Sequence, residues 1–172
     1  MNTSVKSEPQ PSRGADKEGV EERLAAHPFL KGMSQKHIEI LAGCAMPTQF
    51  ESGQVIFRAG EPANGFYLIE DGTIVLEERH EDGETVVIDV VADGEPLGWS
   101  WLFPPYLWQF DARATRACRA ICFSGIMLRQ HRDEDLFLSH ELFKRMSEVM
   151  VRRLQAARSQ LSAAKKSMPE ET

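Results

Sequence analysis

The chain reads as a mainly β domain with flanking helices. Two observations predict this. Between residues 50 and 78 short apolar runs, Val55-Ile56-Phe57, Phe66-Tyr67-Leu68-Ile69 and Thr73-Ile74-Val75-Leu76, are divided by glycines at 53, 60, 65 and 72. Alternating β-branched and aromatic runs bounded by Gly, Asp and Asn are strand and turn signals, and period-two alternation gives each strand one face to bury. On either side of this region apolar residues recur instead at three- and four-residue steps, the spacing of an amphipathic helix.

Length and composition suit one folded domain. The 172 residues are 42% apolar and 27% charged, ordinary values for a globular protein that can bury a core. Residues 1–20 are polar and contain Pro and Gly, so they are expected to form a disordered lead-in without the apolar stretch of a signal peptide. The folded domain is expected over 21–164 and a flexible tail over 165–172. No window is apolar enough to span a membrane, and a cytoplasmic location is expected.

Taken in order, Leu24–Ala45 predicts two short helices broken near Gly32, with Ser34 capping the second and Pro47 stopping it. The strands of the barrel are expected between 50 and 124, with turns at Gly60, Gly72 and Gly83 and a late strand over Ala117–Phe123. A short helix is expected over His131–Leu138. Ser139 is expected to open a long one ending near Ala164, with Leu142, Phe143, Met146, Met150, Leu154, Ala157 and Leu161 on one stripe.

The three cysteines and five histidines predict no cofactor. Cys118 and Cys122 share a strand face but stand roughly 13 Å apart at the usual rise, too far for a disulfide, and Cys44 is alone. Only His80 falls within the expected barrel. No metal set is present in the pattern, and no nucleophile–base pair suggests an enzyme.

The glycine spacing that ends in Phe66-Tyr67-Leu68-Ile69-Glu70-Asp71-Gly72-Thr73-Ile74 resembles the cyclic-nucleotide-binding domain family, over about His27 to Leu161. The resemblance implies that family's eight-stranded β jelly-roll barrel (a double-stranded β-helix), with N-terminal helices and a long C-terminal helix. It also implies a phosphate-binding cassette at Gly98-Trp99-Ser100-Trp101-Leu102-Phe103-Pro104-Pro105. In the family a Gly-Glu pair opens a short helix there. The Glu holds the ribose, and an Arg about ten residues on pairs with the cyclic phosphate. Here Gly98 is kept, Trp99 stands at the Glu position, Trp108 at the Arg position, and Gln109 where a Ser or Thr follows the Arg. In relatives of the catabolite-activator type a Thr-Ser pair on the long helix meets the purine. The matching residues are Ala157 and Arg158, near Arg153.

Hydrogen bonds to charged groups contribute about 1.5–3 kcal/mol each. Losing the Glu and the Arg together should therefore weaken cyclic nucleotide binding by roughly 3–6 kcal/mol, about 10²–10⁴-fold. What the cassette offers an anion is the backbone N–H groups of Ser100 and Trp101 at the start of a helix that Pro104 and Pro105 end within two turns. All three tryptophans, Trp99, Trp101 and Trp108, lie in this window with Phe103, Tyr106 and Phe110. They either line a flat apolar pocket for an aromatic or lipophilic ligand or fill the old ligand cavity.

The long helix implies a homodimer by the family's habit, through residues 143–164. The family's helix-turn-helix domain would follow that helix, and none is expected before Thr172. A net charge of −6 argues against a general nucleic-acid surface. The expectation is a non-enzymatic sensor or regulatory module with weak or no cyclic AMP binding and a small-molecule ligand of another kind. The alternatives are cyclic nucleotide recognition through the cassette N–H groups and a ligand-free dimerisation or scaffold subunit.

Overall fold

A computed structural model of the chain describes residues 17–167. The described residues divide into two units, with the boundary between Glu134 and Asp135. The first unit carries the barrel. Helices α1 (Lys17–Ala26) and α2 (Gln35–Gly43) precede strands β1 (Ala45–Phe50), β2 (Val55–Phe57), β3 (Gly65–Asp71), β4 (Ile74–Arg79), β5 (Thr85–Val91), β6 (Pro96–Leu97), β7 (Asp111–Ala114) and β8 (Cys118–Ser124). Helix α3 (Gly125–Glu134) closes it. Two four-stranded sheets, β1-β8-β3-β6 and β2-β7-β4-β5, face each other, which is the jelly roll the sequence implied.

Strand pairing explains the core. Ile69 stands opposite Ala120 and Ile74 opposite Ala114. Opposed residues of an antiparallel pair point to the same face, so these four look into the barrel. They join Phe50, Phe57, Leu76, Val91, Leu97, Trp108 and Ala112 in one buried cluster. Gly72 permits the closest approach. Its φ is 139°, and a Cβ there would lie 2.2 Å from the Cys118 sulfur.

The opposite face of β3 packs under the helices, where Phe66 meets the rings of Phe29, Trp101 and Phe123 at 5.6–5.7 Å. His27 ties the α1 end to this layer. Its Nε2 donates to the Ile69 carbonyl at 2.9 Å, and its Nδ1 accepts from the Phe29 N–H at 3.2 Å. That pair of bonds fits the neutral ring only. Burial lowers the His27 pKa, against the opposing pull of the Ile69 carbonyl and Glu70.

Several expected boundaries move. The first helix begins at Lys17, so residues 17–20 of the expected lead-in are helical, while 1–16 and 168–172 lie outside the described residues. Ser34 does cap α2, its hydroxyl accepting from the His37 N–H. Pro47 does not merely stop that helix; it sits inside β1. β1 is an edge strand, and a residue without an N–H is tolerated on an edge. The barrel therefore starts at Ala45, not at 50. Beyond β8 the expected helices over 131–138 and from 139 become α3 from Gly125 and, in the second unit, α4 (Leu136–Ser167). The break falls at Asp135 because its carboxylate accepts from the N–H groups of Phe137 and Leu138 at 3.0 Å, a better N-cap than Ser139. The helix also runs to Ser167, into the expected tail.

Strand β5 was missed. It is an edge strand, and Val86, Val87, Ile88 and Val90 are exposed on it. A bulge where the register slips between Leu76 and Glu77 of β4 breaks its alternation.

Candidate ligand site

The cassette begins where β6 ends. Gly98 has φ 88°, and the ring of Trp108 lies against its α-carbon so closely that an added Cβ would stand 2.7 Å from it. Only glycine both adopts this backbone and leaves room for the indole. The segment then makes a single 3-10 turn, Ser100–Leu102, shorter than the helix expected there. One such turn aligns too few peptide groups to act as a macrodipole. An anion at Ser100 and Trp101 would have two backbone N–H groups to meet and no helix behind them, and both residues are buried.

The three tryptophans do not form one cluster. Trp108, 5% exposed, stacks on Phe57 inside the barrel, with centroids 3.7 Å apart and planes within 9°. Trp101 is fully buried on the other side of β3, against Phe66, and its Nε1–H has no hydrogen-bond partner among the described residues. Trp99 is half-buried and meets Phe103 edge-on at 6.5 Å. Gln109 is exposed and donates to the Leu107 carbonyl.

Backbone bonds hold the Trp108 end of the loop. Trp108 N–H donates to Glu61 O at 2.9 Å, Gly60 N–H to Trp108 O at 2.8 Å and Ala63 N–H to Tyr106 O at 2.7 Å. Around Trp108 the barrel interior keeps Ile56, Tyr67 and Phe110 only partly buried. Burial raises the Tyr67 pKa, with Cys122 beside it adding to the shift. Burial likewise pushes the thiols of Cys44 and Cys122 up to about 11, so both stay protonated and act as small hydrophobes.

The charges near the site are placed against an anionic ligand. Arg113 is the first arginine after the cassette. Ala112 and Ala114 on either side of it belong to the core, so its side chain leaves the barrel on the outer face, where it makes a two-pronged ion pair with Glu77. Arg58 pairs with Asp111, and Arg116 with Asp71 and Asp93. Asp89 stands opposite Leu76, a core residue, and so puts a carboxylate on the inner face. Sequence reasoning missed Asp89, although an acid inside the run Thr85-Val86-Val87-Ile88-Asp89-Val90-Val91 was a visible signal. Among the described residues no group of three or more His, Cys, Asp or Glu side chains is placed to hold a metal. No helix among them is long and apolar enough to cross a membrane.

The remaining expected positions, Arg153, Ala157 and Arg158, lie on α4 in the second unit. Arg153 is half-buried, and Ala157 and Arg158 are exposed. The same helix exposes Leu154 and Leu161 to 70% and 59%.

Residues 47–135 match the model of the cyclic nucleotide-binding domain, about half of the chain, and the chain belongs to that family. It is 39% identical over 67 residues to the acetyltransferase Pat of Mycolicibacterium smegmatis, covering 39% of this chain and 20% of that protein. It is 24% identical over 143 residues to the CRP-like cAMP-activated global transcriptional regulator of Mycobacterium tuberculosis, covering 83% of this chain and 62% of the regulator. The chain thus spans less than two thirds of the length of either. A cyclic nucleotide-binding domain from Methylobacillus flagellatus shares the fold at a TM-score of 0.73 and 15% identity, over 92% of this chain and 90% of that one.

Proposed function

We propose that this chain is a non-enzymatic, cytoplasmic regulatory module of the cyclic nucleotide-binding family whose barrel does not take a cyclic phosphate by charge pairing. The observation that carries this is Trp108. It stands at the position of the family's phosphate-binding Arg, and its ring occupies the interior between Phe57 and Gly98. Trp99 at the ribose position, Arg113 directed outward and the inward carboxylate of Asp89 support the same reading. Without a cation, the phosphate would pay its desolvation unpaired. The ligand class that suits these walls is flat, uncharged and apolar. The expected outcome of calorimetry is that cyclic AMP and cyclic GMP bind with dissociation constants no tighter than about 100 μM. Low-micromolar binding to the isolated protein would overturn the reading.

The module also pairs through α4. Met150, Leu154, Ala157 and Leu161 follow the four-three-four spacing of a two-helix seam, and leaving such apolar area in water costs about 25 cal/mol per Å². Ala157 lets two backbones approach, and it carries no hydroxyl for a purine. Leu154→Asp should turn a dimer into a monomer. Light scattering that finds the unmodified protein monomeric at tens of micromolar would remove the dimer.

A further inference from the structure

Helix α3 aims two arginines at the cassette. Arg129 places its guanidinium 4.6 Å from the centroid of the Tyr106 ring. Its Nη1 donates to the carbonyls of Trp101 at 3.3 Å and Ala63 at 3.4 Å. Arg132 donates to the Leu102 carbonyl at 3.0 Å, with Asp133 and the Tyr106 side chain as its other hydrogen-bond partners. Tyr106 has φ 56°, a left-handed conformation that a bulky residue keeps only where its surroundings over-determine it. What over-determines it is on either side. Its carbonyl accepts from Ala63, its N–H donates to Phe103 O at 2.9 Å, and the Arg129 cation covers its ring.

We propose that Trp108 is a resident plug in the ring slot between Phe57 and Gly98, and that Arg129 and Arg132 are the latch by which α3 keeps the plug seated. The latch does with the protein's own cations what an anionic ligand cannot do here, since among the described residues Arg113 points out of the barrel and pairs with Glu77 rather than receiving one. It holds the cassette closed while no ligand is bound. Releasing the arginines frees a loop that is already strained at Tyr106. Trp108 then leaves the slot and a flat apolar ring can stack on Phe57 in its place. The inference rests on the reading of Trp108 as the group that occupies the ligand's position.

The test is hydrogen exchange on the ligand-free full chain. Two readouts are followed, the amides of Gly60, Ala63, Tyr106 and Trp108, and the indole N–H of Trp108 identified by its loss in Trp108→Phe. In Arg129→Gln with Arg132→Gln the loop amides and the indole should exchange on the order of tenfold faster or more, since each such contact is worth about one decade. Amides of Leu68 and Ile121 in the β3–β8 ladder should keep their rates. Arg129→Lys, which keeps the charge over Tyr106 but not the forked donors, should fall between. Unchanged loop rates in the double variant would overturn the latch. So would acceleration spread equally over β3 and β8, because that is a loss of global stability. No ligand enters the experiment, so tight cyclic nucleotide binding would sink the proposed function without altering this result.

Discussion

Strand β3 carries rings on both faces, and the two faces behave differently. On the helix side Phe66 sits among Phe29, Phe123 and Trp101 at centroid distances of 5.6–5.7 Å with tilted or edge-on planes, the usual geometry of an aromatic core. On the barrel side Trp108 lies flat on Phe57 at 3.7 Å, with its ring edge against Gly98. The first arrangement is a layer of packing between sheet and helices. The second is a ring in a slot, stacked flat on one aromatic and closed on another side by a glycine that leaves it room. Two tryptophans seven residues apart thus serve different cores, one as part of the scaffold and one as an occupant of the space the scaffold encloses.

The largest effects should separate these roles. Trp101→Ala and Trp108→Ala should each cost about 3–5 kcal/mol in urea melts. Only Trp108→Ala should leave a cavity beside Phe57 that binds free indole and regains stability with it. Apolar cavities of this kind stay dry and accept rings. Recovery by indole in Trp101→Ala but not in Trp108→Ala would reverse the comparison. Next in size is Gly98→Ala, expected to cost about 1–3 kcal/mol because a side chain is strained at φ 88° and the Trp108 ring must shift. In a Trp108→Ala background the steric share of that cost should vanish, which a double-mutant cycle measures.

How much of this was legible in the chain depends on the residues. The strands over 55–57, 65–71 and 118–124 announce themselves as short apolar runs punctuated by turn residues, although β3 and β8 are buried on both faces, one against the barrel interior and one under the helices. β1 did not, since Pro47 reads as a helix stop unless the strand is known to lie on an edge. β5 did not, since its valines point both ways across a bulge. At the cassette the substitution of the charged residues was plain in Gly98-Trp99 and at Trp108. The separation of Trp101 from Trp108 was not, because it depends on which side of β3 the 3-10 turn falls, a property of the tertiary path. The Arg129–Tyr106 contact joins elements more than twenty residues apart in the chain, and no local pattern marks it.

The smallest expected effect concerns pH and the helix side alone. Burial lowers the pKa of His27 below its ordinary value, so the folded state prefers the neutral ring. Its contribution is fully present above the unfolded value near 6.5 and is lost as pH falls below it towards the folded pKa, at no more than about 1.4 kcal/mol per pH unit. Urea melts from pH 7.5 down to 5 should show this slope in the native chain and a shallower one in His27→Gln. Equal slopes would mean that other groups set the acid limit.

Two of the barrel's edge strands, β1 and β5, have unequal consequences in concentrated solution. β1 carries Pro47, which denies an incoming strand a donor and blunts that side. β5 exposes Val86, Val87, Ile88 and Val90 with neither a proline nor a lysine among them. Such a segment is the sequence type from which intermolecular β-aggregates grow, and its only guards are Asp89 and the bulge beside it. Aggregation of this protein, when crowded or partly unfolded, should therefore start from the β4–β5 hairpin.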